Sequence, residues 1–184
     1  MLGAIVFPRN LTTNDQRPLV IREAVGDDAP ALLEFLEVIA ADTTCITFEP
    51  GEFSMTEEQE REFLDDARST ANHLYLVAVV GDTIAGCLTF GGGKYRRNRH
   101  TGFFGVSVRR EFWSLGIGTA LLAGLLDWAR HGGIVRKIDL YVRTDNHRAI
   151  ALYERMGFVR EGTKRMDLIV DGHAHDSHLM GLVL

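Results

Sequence analysis

The stretch from Thr101 to Arg130 limits what this chain can fold into more than any other. Thr101 to Val108 is a β-rich apolar run, Trp113-Ser114-Leu115-Gly116-Ile117-Gly118-Thr119 follows, and an apolar helical pattern fills about Thr119 to Arg130. A helix that leaves a strand through glycines aims its unpaired N–H groups and the positive end of its dipole at one spot, which makes an anion site out of backbone. Gly116 and Gly118 carry no Cβ to hold a phosphate away, Ser114 and Thr119 add hydroxyl donors, and Arg109 and Arg110 stand just upstream as cations. Glycines at such a junction also let helix and strand pack closely, so the pattern by itself leaves both roles open.

Two common phosphate binders do not fit. A dinucleotide fingerprint needs a third glycine where this chain has Leu121. A Walker loop needs Gly-Lys followed by Ser or Thr and a helix, whereas Gly93-Lys94 is followed by Tyr95 and no helical pattern.

The remainder reads as one domain. The chain has 184 residues, 46% apolar and 24% charged, ordinary for a folded globular protein and too short for two roomy domains. Met1 to Arg17 has no period and is read as an N-terminal tail, with the domain over residues 18–184. Leu19 to Arg22 is a short strand. Gly26-Asp27-Asp28 with Pro30 starts a helix that buries Leu32, Leu33, Leu36 and Ile39 or Ala40. Ser54 to Gln59 supplies caps for a second helix to about Arg68. Leu74–Val80 and Thr83–Phe90 flank Gly81-Asp82, an antiparallel hairpin signal. Ile138, Leu140 and Val142 alternate along a further strand, Thr144-Asp145-Asn146 caps a helix stopped by Gly157, and Asp171-Gly172 turns a final hairpin. The tally is seven strands and four helices.

Val106-Ser107-Val108 with Trp113 to Thr119, and then the run Leu140 to Phe158 (LYVRTDNHRAIALYERMGF), resemble the two cofactor segments of the GCN5-related N-acetyltransferases. The matching region covers roughly Thr101 to Gly162. The resemblance implies a single α/β (α+β) domain with a mixed, mostly antiparallel seven-stranded sheet flanked by about four helices, and transfer of an acetyl group from acetyl-CoA to a primary amine of a small molecule or a peptide N-terminus. It assigns the cofactor to Val106, Ser107, Val108, Trp113, Ser114, Leu115, Gly116, Ile117, Gly118, Thr119, Asn146, Ala149 and Tyr153. Trp113 departs from the family, which has Gln or Arg there. Charge for the CoA phosphates is then expected from Arg109, Arg110 or the loop Arg96-Arg97-Asn98-Arg99. The alternative reading is an acyl-CoA-binding sensor or interaction module without catalysis.

Direct attack of an amine on a thioester needs an oxyanion site, a route for the amine proton and an acid for the thiolate. Tyr153 is the candidate acid: a phenol with pKa near ~10 stays protonated at neutral pH and can serve a thiolate whose conjugate acid is nearer ~8.5. Periodicity equally allows Tyr153 as a core residue beside Ile150 and Met156, and Asn146 as a helix cap. Candidate bases are His100, at the start of the strand leading to the site, and Glu49 and Glu52 in the loop between the first two helices.

No metal is expected, because His173 and His175 share a strand face from which His178 points away. The net charge of −5 argues against a nucleic-acid partner, and Lys94 to Arg99 reads as a solvated loop or an acceptor-side lip. Cys45 and Cys87 lie far apart, no secretion signal is evident, and no apolar run reaches the ~18 residues of a membrane span, so a cytoplasmic protein, with a homodimer left open, is the expectation.

Overall fold

A run of apolar β-formers without polar alternation belongs in a sheet covered on both faces. His73–Val80 (β3) is such a run: Leu74, Leu76 and Ala78 enter one core, and Tyr75 and Val77 enter another. The computed structural model describes residues 7–184 and builds the rest of the fold around this two-sided sheet. In chain order the other elements are β1 (Arg9–Thr12), β2 (Pro18–Glu23), α1 (Ala29–Asp42), α2 (Glu57–Ser69), β4 (Thr83–Gly92), β5 (Thr101–Val108), α3 (Ile117–Gly132), β6 (Lys137–Arg143), α4 (His147–Arg155), β7 (Val159–Val170) and β8 (His173–Val183). The sheet order is β1-β2-β3-β4-β5-β6-β8-β7, antiparallel except for the β5–β6 pair.

The helices divide between the two faces. Leu121, Leu122 and Leu125 of α3 and Tyr153 of α4 pack with Leu76, Phe104 and Ile138 on one face. On the other, Leu32, Phe35 and Ile39 of α1 and Leu64 and Ala67 of α2 pack on Tyr75, Val77 and Cys87. Phe35 takes the central place in α1, while Leu33 and Leu36 stay half-buried. The capping box expected for α2 is present: Thr56 Oγ1 accepts from the Gln59 N–H, and Gln59 Oε1 accepts from the Thr56 N–H.

The sheet has eight strands, not seven, and the extra one corrects the reading of residues 1–17 as a tail. Residues 1–6 of that tail lie outside the described residues. Arg9–Thr12 pairs antiparallel with Pro18–Ile21 through a turn fixed by Thr13, whose N–H donates to Arg17 O and whose hydroxyl accepts from the Arg17 N–H. This edge strand carries one leucine and no apolar alternation, so its pairing is set by the turn and not by a hydrophobic pattern.

β5 and β6 pair over only three positions, Thr101–Lys137, Gly102–Ile138 and Phe103–Asp139. Beyond them the strands part, while β5 stays paired with β4 as far as Val108 and β6 with β8 as far as Arg143. The gap opens directly before the glycine turn into α3. Among the described residues no helix is long and apolar enough to cross a membrane.

Candidate active site

Parting of β5 from β6 leaves the β6-facing edge of Phe104–Val108 without a strand partner. Unpaired backbone in an interior cleft needs a ligand or water to satisfy it. A cavity of about 750 Å³ fills the gap, lined by Phe104 to Val108, the glycine turn and α4.

The turn at the mouth of α3 is held in an unusual backbone. Ser114 has φ +65 and Gly116, the α3 N-cap, φ +88, both left-handed. Ala120 N–H is bonded to Gly116 O at 3.0 Å, so the N–H groups of Ile117, Gly118 and Thr119 point out of the helix end. The β1–β2 turn braces this loop: Asn14 N–H donates to Leu115 O at 3.1 Å, and its side-chain amide donates to Ser114 O at 2.9 Å. A Cβ on Gly116 would sit 3.4 Å from Asn14 Oδ1.

Trp113 is locked over the strand end, its indole N–H donating to Val108 O at 2.7 Å. The Arg148 guanidinium lies 3.9 Å from the Trp113 ring centroid, and Arg110 lies farther at 5.7 Å. Arg148 sits in the first turn of α4, where the helix dipole opposes a cation, and it makes no ion pair among the described residues. Partial burial lowers its pKa, yet a guanidinium stays charged. This cation and the α3 end with its free N–H groups line the same cavity, an arrangement that can hold a polyanion.

Most of the expected cofactor residues line this cavity: Val106, Ser107, Val108, Trp113, Ser114, Gly116, Ile117, Gly118, Thr119, Asn146, Ala149 and Tyr153. Leu115 does not; it packs against the core. Asn146 caps α4, its Oδ1 accepting from the Ala149 N–H at 3.2 Å, and the residue lines the cavity. Tyr153 is 8% exposed and packs edge-on against Phe104. Burial pushes its phenol up to about 12.

Several expected residues are elsewhere. Arg109 turns to α1, 3.5 Å from Glu34 and over the Phe35 ring, and Arg110 lies beside Asp42, outside the main cavity. The Arg96–Arg99 loop and His100 are exposed at the opposite end of β5 from the gap. Glu49 and Glu52 are exposed, and Glu52 caps the Glu49 N–H at 2.8 Å. None of these lines the cavity. Among the described residues no group of three or more His, Cys, Asp or Glu could hold a metal ion.

Two residues were missed. Arg148 lies on Trp113 and lines the cavity, where Arg109 and Arg110 do not; a basic side chain two residues past an Asn cap, where the dipole disfavours it, is the sequence signal for it. Glu60 of α2 is 1% exposed, lines the cavity, and has Oε1 without a hydrogen-bond partner. Burial raises its pKa. Its signal was position, because Glu60, Leu64 and Ala67 share the inward stripe of α2. Cys87 lies nearby, its thiol held neutral by burial, with a pKa of about 12. Arg143, at the end of β6, donates to both oxygens of Thr44 and to Asp145, tying the α1–α2 connection to the sheet beside the cavity.

Comparison with known proteins agrees with this geometry. The sequence profile described as "Acetyltransferase (GNAT) family" matches residues 34–158. The L-amino acid N-acetyltransferase AaaT of Escherichia coli strain K12 is 30% identical over 108 residues, spanning 59% of this chain and 67% of that protein. The structure of an acetyltransferase of the GNAT family from Streptococcus pneumoniae superposes with a TM-score of 0.88 at 32% identity, over 90% of this chain and 99% of that one. The fold is shared at 22% identity with yncA of Salmonella typhimurium, solved with acetyl-CoA, at a TM-score of 0.79 over 90% and 94% of the two chains.

Gly116→Ala places a side chain in the left-handed region against Asn14. It is expected to cost about 1–2 kcal/mol of stability, read as a lower urea midpoint at unchanged slope; an unchanged midpoint contradicts the tight turn.

Proposed function

The chain belongs to the acetyltransferase (GNAT) family, and we propose that it transfers the acetyl group of acetyl-CoA to the primary amine of a small molecule or a peptide N-terminus, by direct attack of the amine on the thioester. The observation that carries this reading is the unpaired β5 edge beside the open α3 N-terminus. One accepts an extended amide-bearing arm as a strand would, and the other accepts the negative charge at the end of that arm.

In this reading the free N–H groups of Ile117, Gly118 and Thr119 receive the pyrophosphate. Arg148, stacked on Trp113, supplies the cation that Trp113 cannot. Asn146, which lines the cavity, offers its NH₂ group to the arm. Backbone N–H groups of the Phe104–Val108 edge take the developing oxyanion, where a fixed donor in a dry cleft stabilises the transition state more than the ground state. Tyr153 gives its proton to the departing thiolate. With its phenol pushed up to about 12 the acid form persists through neutral and mildly alkaline pH, so Tyr153 imposes no alkaline limb on turnover there.

Two substitutions separate these roles. Tyr153→Phe is expected to lower kcat by about 100-fold or more with acetyl-CoA affinity nearly unchanged; equal kcat in the two proteins contradicts the acid. Arg148→Ala removes a charge-assisted contact and is expected to raise the Kd for acetyl-CoA roughly tenfold, measured by quenching of tryptophan fluorescence or calorimetry. An unchanged Kd contradicts the phosphate role of Arg148.

A further inference from the structure

The far end of the cavity, away from α3, is too apolar to serve a phosphate arm. Its wall is Leu36, Ile46, Phe48, Phe53, Met55 and Phe63, from α1, the α1–α2 connection and α2. Phe48 and Phe53 pack with ring centroids 5.3 Å apart, and Phe63 meets Tyr75 edge-on at 6.1 Å. Glu60 stands one helical turn from Phe63 on α2. The titratable groups that face it from the sheet are Tyr75 of β3 and Cys87 of β4, both held neutral by burial, so no cation compensates its carboxylate. A buried carboxylate with an unpartnered oxygen is among the costliest groups a fold can keep, and an apolar residue at this point of the α2 stripe would be the stabilising choice. Cys87 is the strand partner of Ser107, so Glu60 lies above the strand pair that carries the open β5 edge.

Resting on the transferase reading above, we propose that this end of the cavity is the acceptor site, that it takes a primary amine on a short apolar or aromatic carbon skeleton, and that Glu60 receives the ammonium proton. The ammonium supplies the charge that Glu60 lacks, and the aromatic wall receives the carbon skeleton. A polyamine would set its remaining charges against carbon, since the wall offers no second acid. One proton passes from nitrogen to the Glu60 carboxylate, and the freed lone pair attacks the thioester carbonyl carbon. The C–S bond then breaks with its electron pair on sulfur, which takes the Tyr153 proton. The second nitrogen proton, lost as the amide forms, restores Tyr153 through solvent, and Glu60 returns its proton to water. Ammonium and acetyl-CoA thus give amide, CoA thiol and one proton.

Thiol release by the full chain, at saturating acetyl-CoA, tests this with phenethylamine, isoamylamine, spermidine and a peptide bearing an N-terminal serine. The expected kcat/KM is at least tenfold higher for the first two amines. Glu60→Gln is expected to lower kcat/KM for phenethylamine about 100-fold, with the Kd for acetyl-CoA unchanged and Tm equal to or above that of the wild type. Glu60→Asp, which keeps the carboxylate, recovers part of the turnover. Preference for spermidine or the peptide overturns the acceptor class. Turnover of Glu60→Gln within threefold of wild type, or a lower Tm with parallel loss of acetyl-CoA binding, overturns the role of Glu60. The amine series on the wild type stands even if a variant fails to fold. A wild type that binds no acetyl-CoA overturns the transferase reading itself, before any amine is added.

Discussion

Three rungs of parallel pairing, ending at Phe103 and Asp139, decide what this molecule can do. If β5 and β6 paired along their whole length, the sheet would be closed and the backbone of Phe104–Val108 satisfied within the protein. Each strand is instead held on its outer side, β5 by β4 and β6 by β8, so the gap does not collapse. The core on the α3 face forms its floor, with Phe104 and Tyr153 edge-on at 5.7 Å. An interior edge of unsatisfied amides, next to a helix N-terminus, is expensive to maintain without a ligand that has both an amide-bearing arm and an anionic end.

The anionic end is built from parts far apart in sequence. The left-handed turn at Ser114 and Gly116 is braced by Asn14 from the N-terminal hairpin, which gives the β1–β2 hairpin a function at the site. Trp113 stands where the family has Gln or Arg, and Arg148 from α4 lies on its ring face. The cation therefore reaches the turn from the opposite side of the gap. That arrangement joins α4 to the α3 mouth, and it depends on Trp113 being fixed by its bond to Val108 O.

Sequence resolved the local features and left the long-range ones hidden. The strand, glycine turn and helix, the α2 capping box and the hairpin turns are written in neighbouring residues, and they were legible. The β1 strand was not, because a four-residue edge strand with one leucine has no period to detect. The direction of Arg109 was not either. Two arginines beside a phosphate turn read alike until Glu34 and Phe35 of α1 draw one of them away. Glu49 and Glu52 stand in an exposed loop, where acids are common and carry little information. An acid on an apolar helical stripe is the rarer and more informative arrangement, and only the packing of α2 on β3 and β4 made its burial evident.

The central claim is that the acetyl-CoA arm completes the β5 edge inside the gap. Residue-resolved amide hydrogen exchange with and without acetyl-CoA measures it most directly, because bonded amides exchange slowly and open ones do not. The expected result is ligand-dependent protection within Phe104–Val108 and at Ile117 to Thr119. Protection confined to the Gly91–His100 loop, with those amides unchanged, would contradict it.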